Sequence, residues 1–423
     1  MVTAAASHAG SVQVNLFDRD FLIDPYPTYA LLRESEPVHW DDRLNGWVLT
    51  RHSDVFAAHL EPETFSSHRL GAMLRDRVTP DSSIQVQTFM QMAPEWMLFR
   101  DPPDHTRVRK MMNKEFRARD IKALGPDIRQ TVVDLADELL KKGEFDLVDD
   151  FAYRVPALVL TAQYGLPAAD ADLLTDWWYE IRNMQRIFLG AEPATVAPDG
   201  SPPAVAFDEM RAYLDELVRD RRRAPRDDLV SRVVKYPEGG PDGGQLSEDE
   251  MFGHLLLLPL ASFGTTMDLI TNGLLGLLNQ RDQWELITRR PALLPSAVEE
   301  VLRYDASVQL THRLATRDVE LHGVRIREGN LVYLVRGAAN RDPERWPDPN
   351  RIDVTRHDPG HVGFGVGIHH CLGAGLAKAE VVASYAALTE RIPGLRLSEG
   401  RPHEWKADTP QFRGLTHLPA TVG

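Results

Sequence analysis

One cysteine occurs in the 423 residues of the chain, in the run Phe364-Gly365-Val366-Gly367-Ile368-His369-His370-Cys371-Leu372-Gly373-Ala374-Gly375-Leu376-Ala377. A lone thiol excludes a fold held by internal disulfides and suits a reducing compartment. Its neighbours constrain the fold further. Gly365, Gly367 and Gly373 let the backbone turn tightly and approach a flat ligand that side chains would keep away. From Leu372 onward small and apolar residues recur at helical spacing, which puts the sulfur near a helix N-terminus. There the unpaired N–H groups and the helix dipole favour thiolate over thiol. The run reads as a thiolate presented to a metal. The competing reading is a buried structural cysteine beside a glycine-rich turn.

The full pattern weighs against the second reading. Phe-Gly-x-Gly-x-His-x-Cys-x-Gly, closing in Leu-Ala, resembles the haem-ligand loop of the cytochrome P450 family. The resemblance implies that Cys371 is the proximal iron ligand, a thiolate that pushes electron density toward iron and favours O–O cleavage. It also implies that Phe364, Gly365, Gly367 and Gly373 shape the haem-binding loop. The likeness extends from Asp24-Pro25-Tyr26-Pro27 to Phe412-Arg413-Gly414-Leu415, nearly the whole chain. The fold it implies is mainly α with small β-sheets (α+β), with a long central helix over the haem. Residues 1–12 are expected to be a disordered tail and 13–423 a single haem-thiolate domain. The implied cofactor is haem b (iron protoporphyrin IX), used with O2 and electrons from NAD(P)H through a ferredoxin.

Hydrophobic residues make up 43% of the chain, ample for a large core. No run of about eighteen apolar residues occurs. The first residues lack a basic segment followed by an apolar stretch. We therefore expect no membrane anchor and a cytoplasmic location, as in the soluble bacterial members that the chain resembles. The formal net charge of −14 argues against a nucleic-acid binder. A local exception is the set Arg107, Arg109, Lys110, Lys114, Arg117 and Arg119, at helical spacing. By charge alone it is as readily an ordinary solvated face. The resemblance places it on the proximal side, where ferredoxin, served by a ferredoxin reductase, would dock.

Along the chain, helical patterning dominates. A helix is expected over 28–33, short strands over 47–50, 318–321 and 331–334, and a helix start at Asp101-Pro102-Pro103-Asp104. Two loops, 190–206 and 236–246, are rich in proline, glycine or small residues. The apolar segment 251–279 predicts a helix of about 43 Å, distorted at Pro259, which lacks an N–H.

Glu300 and Arg303 lie three apart on one helix face and can pair. The resemblance makes them, with Arg351 of the proline-rich segment that follows, the structural lock behind the haem. His105 and Arg109 are four apart and share a face. With Arg313 and His369 they match the partners of the two haem propionates, which need cationic or hydrogen-bonding neighbours when buried.

On the distal side the usual family pattern is Ala-Gly-x-Glu-Thr-Thr or Asp-Thr, whose acid and alcohol relay protons to oxygen. This chain reads Ala261-Ser262-Phe263-Gly264-Thr265-Thr266. Thr265 matches the alcohol, with Thr266 beside it, and Gly264 replaces the acid. Either Gly264 only widens the groove and another group carries protons, or the site is not built for routine hydroxylation.

In residues 84–99, Phe89, Met90, Met92 and Trp96 offer apolar contact, and Gln85, Gln87 and Gln91 can bond amide or carbonyl groups. Trp177, Trp178, Tyr179, Met184 and Phe188 are placed as a roof. Phe263, Val308, Gln309, Leu310 and Phe412 are further substrate-contact candidates. The expected substrate is a medium-sized aromatic secondary metabolite, such as a cyclic dipeptide, undergoing hydroxylation or oxidative C–C or C–N coupling. The alternatives are ordinary monooxygenation of a macrolide or other aliphatic substrate, and a haem-binding sensor without turnover.

Overall fold

The computed structural model describes residues 12–74, 93–178, 206–238, 245–357 and 360–423. Phe89, Met90, Met92, the three glutamines, Tyr179, Met184, Phe188 and residues 1–11 lie outside this set. Val12, assigned to the tail on sequence, donates its N–H to Glu36 at 2.9 Å and packs against the core.

The helix Glu248–Asn279 forms the axis of the molecule. A reciprocal capping box of Ser247 and Glu250 starts it, and Glu248, Asp249 and Glu250 place negative charge on its positive end. It is long and apolar enough to cross a bilayer, yet 83% of its most apolar window is buried within the molecule. Its apolar surface serves the core. Pro259 does not interrupt it. The Leu255 carbonyl, which a residue-259 N–H would have satisfied, accepts instead from the Tyr164 hydroxyl at 2.9 Å. An outside donor thus compensates for the missing bond, and the helix continues through the proline.

The helices Arg154–Tyr164, Leu294–Asp305 and Ala374–Arg391 pack on this axis. The last also lies along Ala118–Lys142. To one side is a five-stranded sheet, in order Val38–Asp41, Gly46–Leu49, Leu331–Val335, Leu310–Ala315, Phe65–Ser66. Gly46–Leu49 runs parallel to Leu331–Val335, and the other pairs are antiparallel. The sheet includes two of the expected strands, and the third appears as Val319–Leu321 in a separate hairpin. The 28–33 helix begins earlier, as Tyr26–Ser35, because Pro27 fits its first turn.

The helix at Asp101-Pro102-Pro103-Asp104 starts at Asp104 and runs to Met112. Asp101 does not cap it. Its carboxylate accepts from the Ser67 N–H at 2.8 Å and from the Ser66 hydroxyl, fastening this turn to the sheet edge. The basic set is split by the turn between Asp104–Met112 and Ala118–Lys142. Arg107 pairs inward with Glu250, Arg109 faces a cavity, and Lys110, Arg117 and Arg119 are exposed.

Candidate active site

The loop ahead of Ala374–Arg391 holds its shape through backbone geometry. Gly365 and Gly367 have φ of 68° and 72°, and a Cβ would lie 2.9 Å from an Arg336 nitrogen and 2.8 Å from the His59 carbonyl respectively. Only glycine fits both demands. The Cys371 N–H donates to the Phe364 carbonyl at 2.9 Å, which aims the thiol into the cavity. Burial pushes the thiol up, while the Gly373 N–H and the Arg336 and Arg109 charges pull it back toward thiolate. Gly373 itself precedes the helix and lines the cavity, with nothing within 4 Å of where its Cβ would stand.

Beside the thiol, cationic side chains converge, with the Asp101 carboxylate acting on Arg69, His105 and Arg313. Arg69, Arg109, Arg336 and His369 line the cavity. His105 is buried 4.2 Å, ring to ring, from His369. Arg313 is buried too, with one guanidinium nitrogen 3.5 Å from His59 Nδ1. Both ring nitrogens of His105, Nε2 of His59 and His369, and Nε of Arg69 and Arg336 lack hydrogen-bond partners among the described residues. Burial, followed by the charges of Arg313, His105, Arg69 and Arg109, drives His369 down to about 2. Burial and Arg109 take His105 to about 4. Burial also lowers Arg313 and Arg336 to about 10. Buried polar atoms normally find partners, so a site this rich in orphaned donors is shaped for an anionic group. Two carboxylates on a flat macrocycle above a thiol meet that demand, and haem fits these residues. Arg69, Arg336 and His59 had no motif to mark them on sequence.

Behind the loop, the Glu300 carboxylate receives both Arg303 bonds at 2.8 Å, and both side chains are about 1% exposed. The third member is not Arg351. That guanidinium is 65% exposed and bonds Asp282, and only its backbone carbonyl reaches Arg303, at 3.0 Å. Arg356 takes the place, with its Nε 3.2 Å from Glu300. The chain turns at Asp353, whose N–H also bonds Glu300, and this brings residue 356 inward.

On the distal side, Thr265 faces the cavity and its hydroxyl donates to the Ala261 carbonyl at 2.7 Å. Gly264 and Thr266 also line it. Gly264 does not widen the groove. A Cβ there would lie 1.7 Å from Cζ2 of Trp178, whose indole fills the space. One helical turn on, Asp268 lines the cavity and pairs with Lys406 at 2.5 Å, both buried. Glu380, in the helix after the cysteine, also borders the cavity, and one of its oxygens has no partner among the described residues. Burial raises its carboxyl to about 8.

That shift has a testable sign. The folded state holds the Glu380 proton more tightly than the unfolded chain, whose ordinary value is about 4.3. The resulting stabilisation is complete below about pH 4 and is lost as pH rises through about 8. Glu380→Gln should flatten the fall in stability across that window, measured by denaturant melts at pH 5 and pH 8. Equal slopes in both proteins would refute it.

The cavity encloses about 340 Å³ and is partly open to solvent. Trp96, Val308, Leu310 and Phe412 line it as expected from their positions. Gln309 does not, because residues alternate along an extended chain. Its amide turns away to donate to the Ala306 carbonyl at 2.8 Å. Phe263 is also displaced from the lining, packing edge-on between Tyr153 and Trp178 at 5.4 and 5.2 Å. Trp177 packs on Tyr213, leaving Trp178 as the roof residue in the described set that reaches the cavity.

The profile of the family described as Cytochrome P450 matches residues 274–388. Similarity to individual members runs further. Cytochrome P450 107B1 of Saccharopolyspora erythraea is 37% identical over 415 residues, 96% of this chain and 97% of the relative. The 6-deoxyerythronolide B hydroxylase of the same organism is 35% identical over 412 residues, 95% and 97% of the two chains. Among solved structures, epothilone B-bound cytochrome P450epoK matches with a TM-score of 0.87 and 27% identity, over 97% of this chain and 99% of that one. Likeness along the full length of such relatives, joined to a thiol held beside an anion-seeking cavity, makes this chain a member of the cytochrome P450 family and an enzyme of its monooxygenase type.

Proposed function

We propose that this P450 monooxygenates a bulky, largely apolar secondary metabolite of the macrolide or polyketide kind. The observation that carries the reading is the cavity's apolar wall, formed by residues such as Leu257, Val308, Leu310 and Phe412, which suits a largely apolar ligand. The 6-deoxyerythronolide B hydroxylase and the epothilone-bound enzyme, by their names, handle molecules of that kind.

When bound, haem supplies oxygen activation with electrons from a reductase chain. Cys371 would ligate its iron, and His105, Arg109, Arg313 and His369, with Arg69 and Arg336, would hold its propionates. Glu300, Arg303 and Arg356 keep the frame behind it rigid. Thr265, its hydroxyl proton given to the Ala261 carbonyl, would accept a hydrogen bond at Oγ1 from the distal space, and Glu380 keeps a proton on its carboxyl at neutral pH. Exposed Lys110, Arg117 and Arg119 suit an acidic donor such as a ferredoxin, drawing on NAD(P)H, and a cytoplasmic setting suits that chain.

A second reading, oxidative coupling of an aromatic substrate, is favoured by one feature, the glycine at the acid position. Absorbance titration of the ferric holoprotein decides between them. A low-to-high-spin shift with macrolides, and none with indole metabolites or cyclic dipeptides, is expected. A shift confined to the aromatic compounds would overturn the macrolide reading.

A further inference from the structure

We propose that Trp178 is a specificity-determining wall of the distal site, its indole taking the space that an acidic side chain of the central helix fills in the usual family pattern. The inference rests on the haem-thiolate reading of the cavity and concerns a residue that no part of that pattern marks.

Three observations meet at this indole. First, it and Gly264 are fitted as knob and hole. A methyl at 264 would sit 1.7 Å from Cζ2 and 2.4 Å from Cε2 and Cη2, far inside contact distance. A glycine in mid-helix is unfavourable by itself, and here the absent side chain is what admits the ring. Second, the indole Nε1 donates to the Leu260 carbonyl at 3.2 Å. That carbonyl lies four residues before Gly264, on the same helix turn. The ring therefore takes the space of an acid and anchors itself to the helix backbone beside it. Third, the indole is braced. Phe263 meets it edge-on at 5.2 Å, and the Lys406 ammonium, held by Asp268, stands 5.9 Å from its face. It is 7% exposed and borders the cavity. A rigid, braced ring at that point sets how far a ligand above Thr265 extends along the helix. It offers aromatic surface where a carboxylate would offer charge.

The test uses purified ferric holoprotein and four variants, Gly264→Ala, Trp178→Ala, Trp178→Leu and the double variant Gly264→Ala/Trp178→Ala. Thermal melts should show Gly264→Ala lowering the midpoint by about 3 °C in the parent. The same change should be neutral or raise the midpoint once Trp178 is Ala, because alanine favours the helix interior. Absorbance titrations with imidazole and 4-phenylimidazole should show the parent discriminating against the phenyl compound. Trp178→Ala and Trp178→Leu should each improve its relative affinity by about tenfold or more. If Trp178→Ala does not retain haem, Trp178→Leu alone decides the azole comparison, and Gly264→Ala in that background decides the melt. Unchanged azole preference, or a Gly264→Ala effect equal in both backgrounds, overturns the proposal. A purified parent protein without the haem absorption band would instead overturn the haem reading on which it rests.

Discussion

Glu300→Ala should leave a protein that scarcely retains haem and melts far below the parent. The substitution strands two guanidiniums. Arg303 is about 1% exposed and is held in place by the carbonyls of Asn340, Pro349 and Arg351 at 2.8–3.0 Å, so it cannot swing to water. Arg356, 12% exposed, loses its carboxylate as well. Removing one partner of a buried pair costs about 3–5 kcal/mol, because the remaining charge stays desolvated. Against a total stability of about 5–15 kcal/mol, that is decisive. Arg351→Ala makes the contrast. Among the described residues its side chain pairs with exposed Asp282, and its backbone carbonyl survives the change, so the expected cost is within about 0.5 kcal/mol. Haem-to-protein absorbance ratios and thermal melts on both variants check the pair. Equal damage from the two would mean that the Arg351 side chain belongs to the lock after all.

Cys371→Ser should separate stability from chemistry. The loop is held by the Cys371 N–H to the Phe364 carbonyl and by the left-handed glycines, none of which involves sulfur. The melt should therefore change by less than about 1 kcal/mol. A serine hydroxyl, unlike the thiol, remains protonated at neutral pH and cannot supply thiolate electron donation to iron. Substrate oxidation should fall by at least about a hundredfold, since even indirect supporters of a metal ligand cost 10–100-fold when lost. The long-wavelength absorption of the carbon monoxide complex that marks thiolate ligation should disappear. Retention of that band would remove Cys371 from the ligand role.

Much of this site was legible because its parts are close in sequence. The cysteine loop is one continuous run, and His105 and Arg109 share a helix face by spacing alone. The long helix was readable from its apolar length. What failed to read depends on where distant segments meet. Arg351 and Arg356 are both arginines in an irregular segment with no periodicity, and only the turn at Asp353 decides which points inward. Gln309 sits between two cavity residues but faces away, since the extended backbone alternates. The basic patch looked continuous until a break between two helices sent Arg107 toward Glu250. Pro259 marked a missing N–H, and only the fold shows that Tyr164, ninety-five residues earlier, supplies a donor to the freed carbonyl.

By itself the sequence determined the family, the thiol that would ligate iron, the long central helix and the missing acid at residue 264. All of these are local patterns of residue type, and local pattern is what a linear chain records directly. Tertiary structure alone decided what stands in the acid's place. Trp178 and Gly264 are eighty-six positions apart, and neither is informative until packing brings an indole to 1.7 Å from where a Cβ would be. The same holds for the unpaired donors of Arg69, Arg336 and His59. Burial and mutual approach of charges arise only when separate elements close on one cavity, and no spacing rule along the chain encodes them.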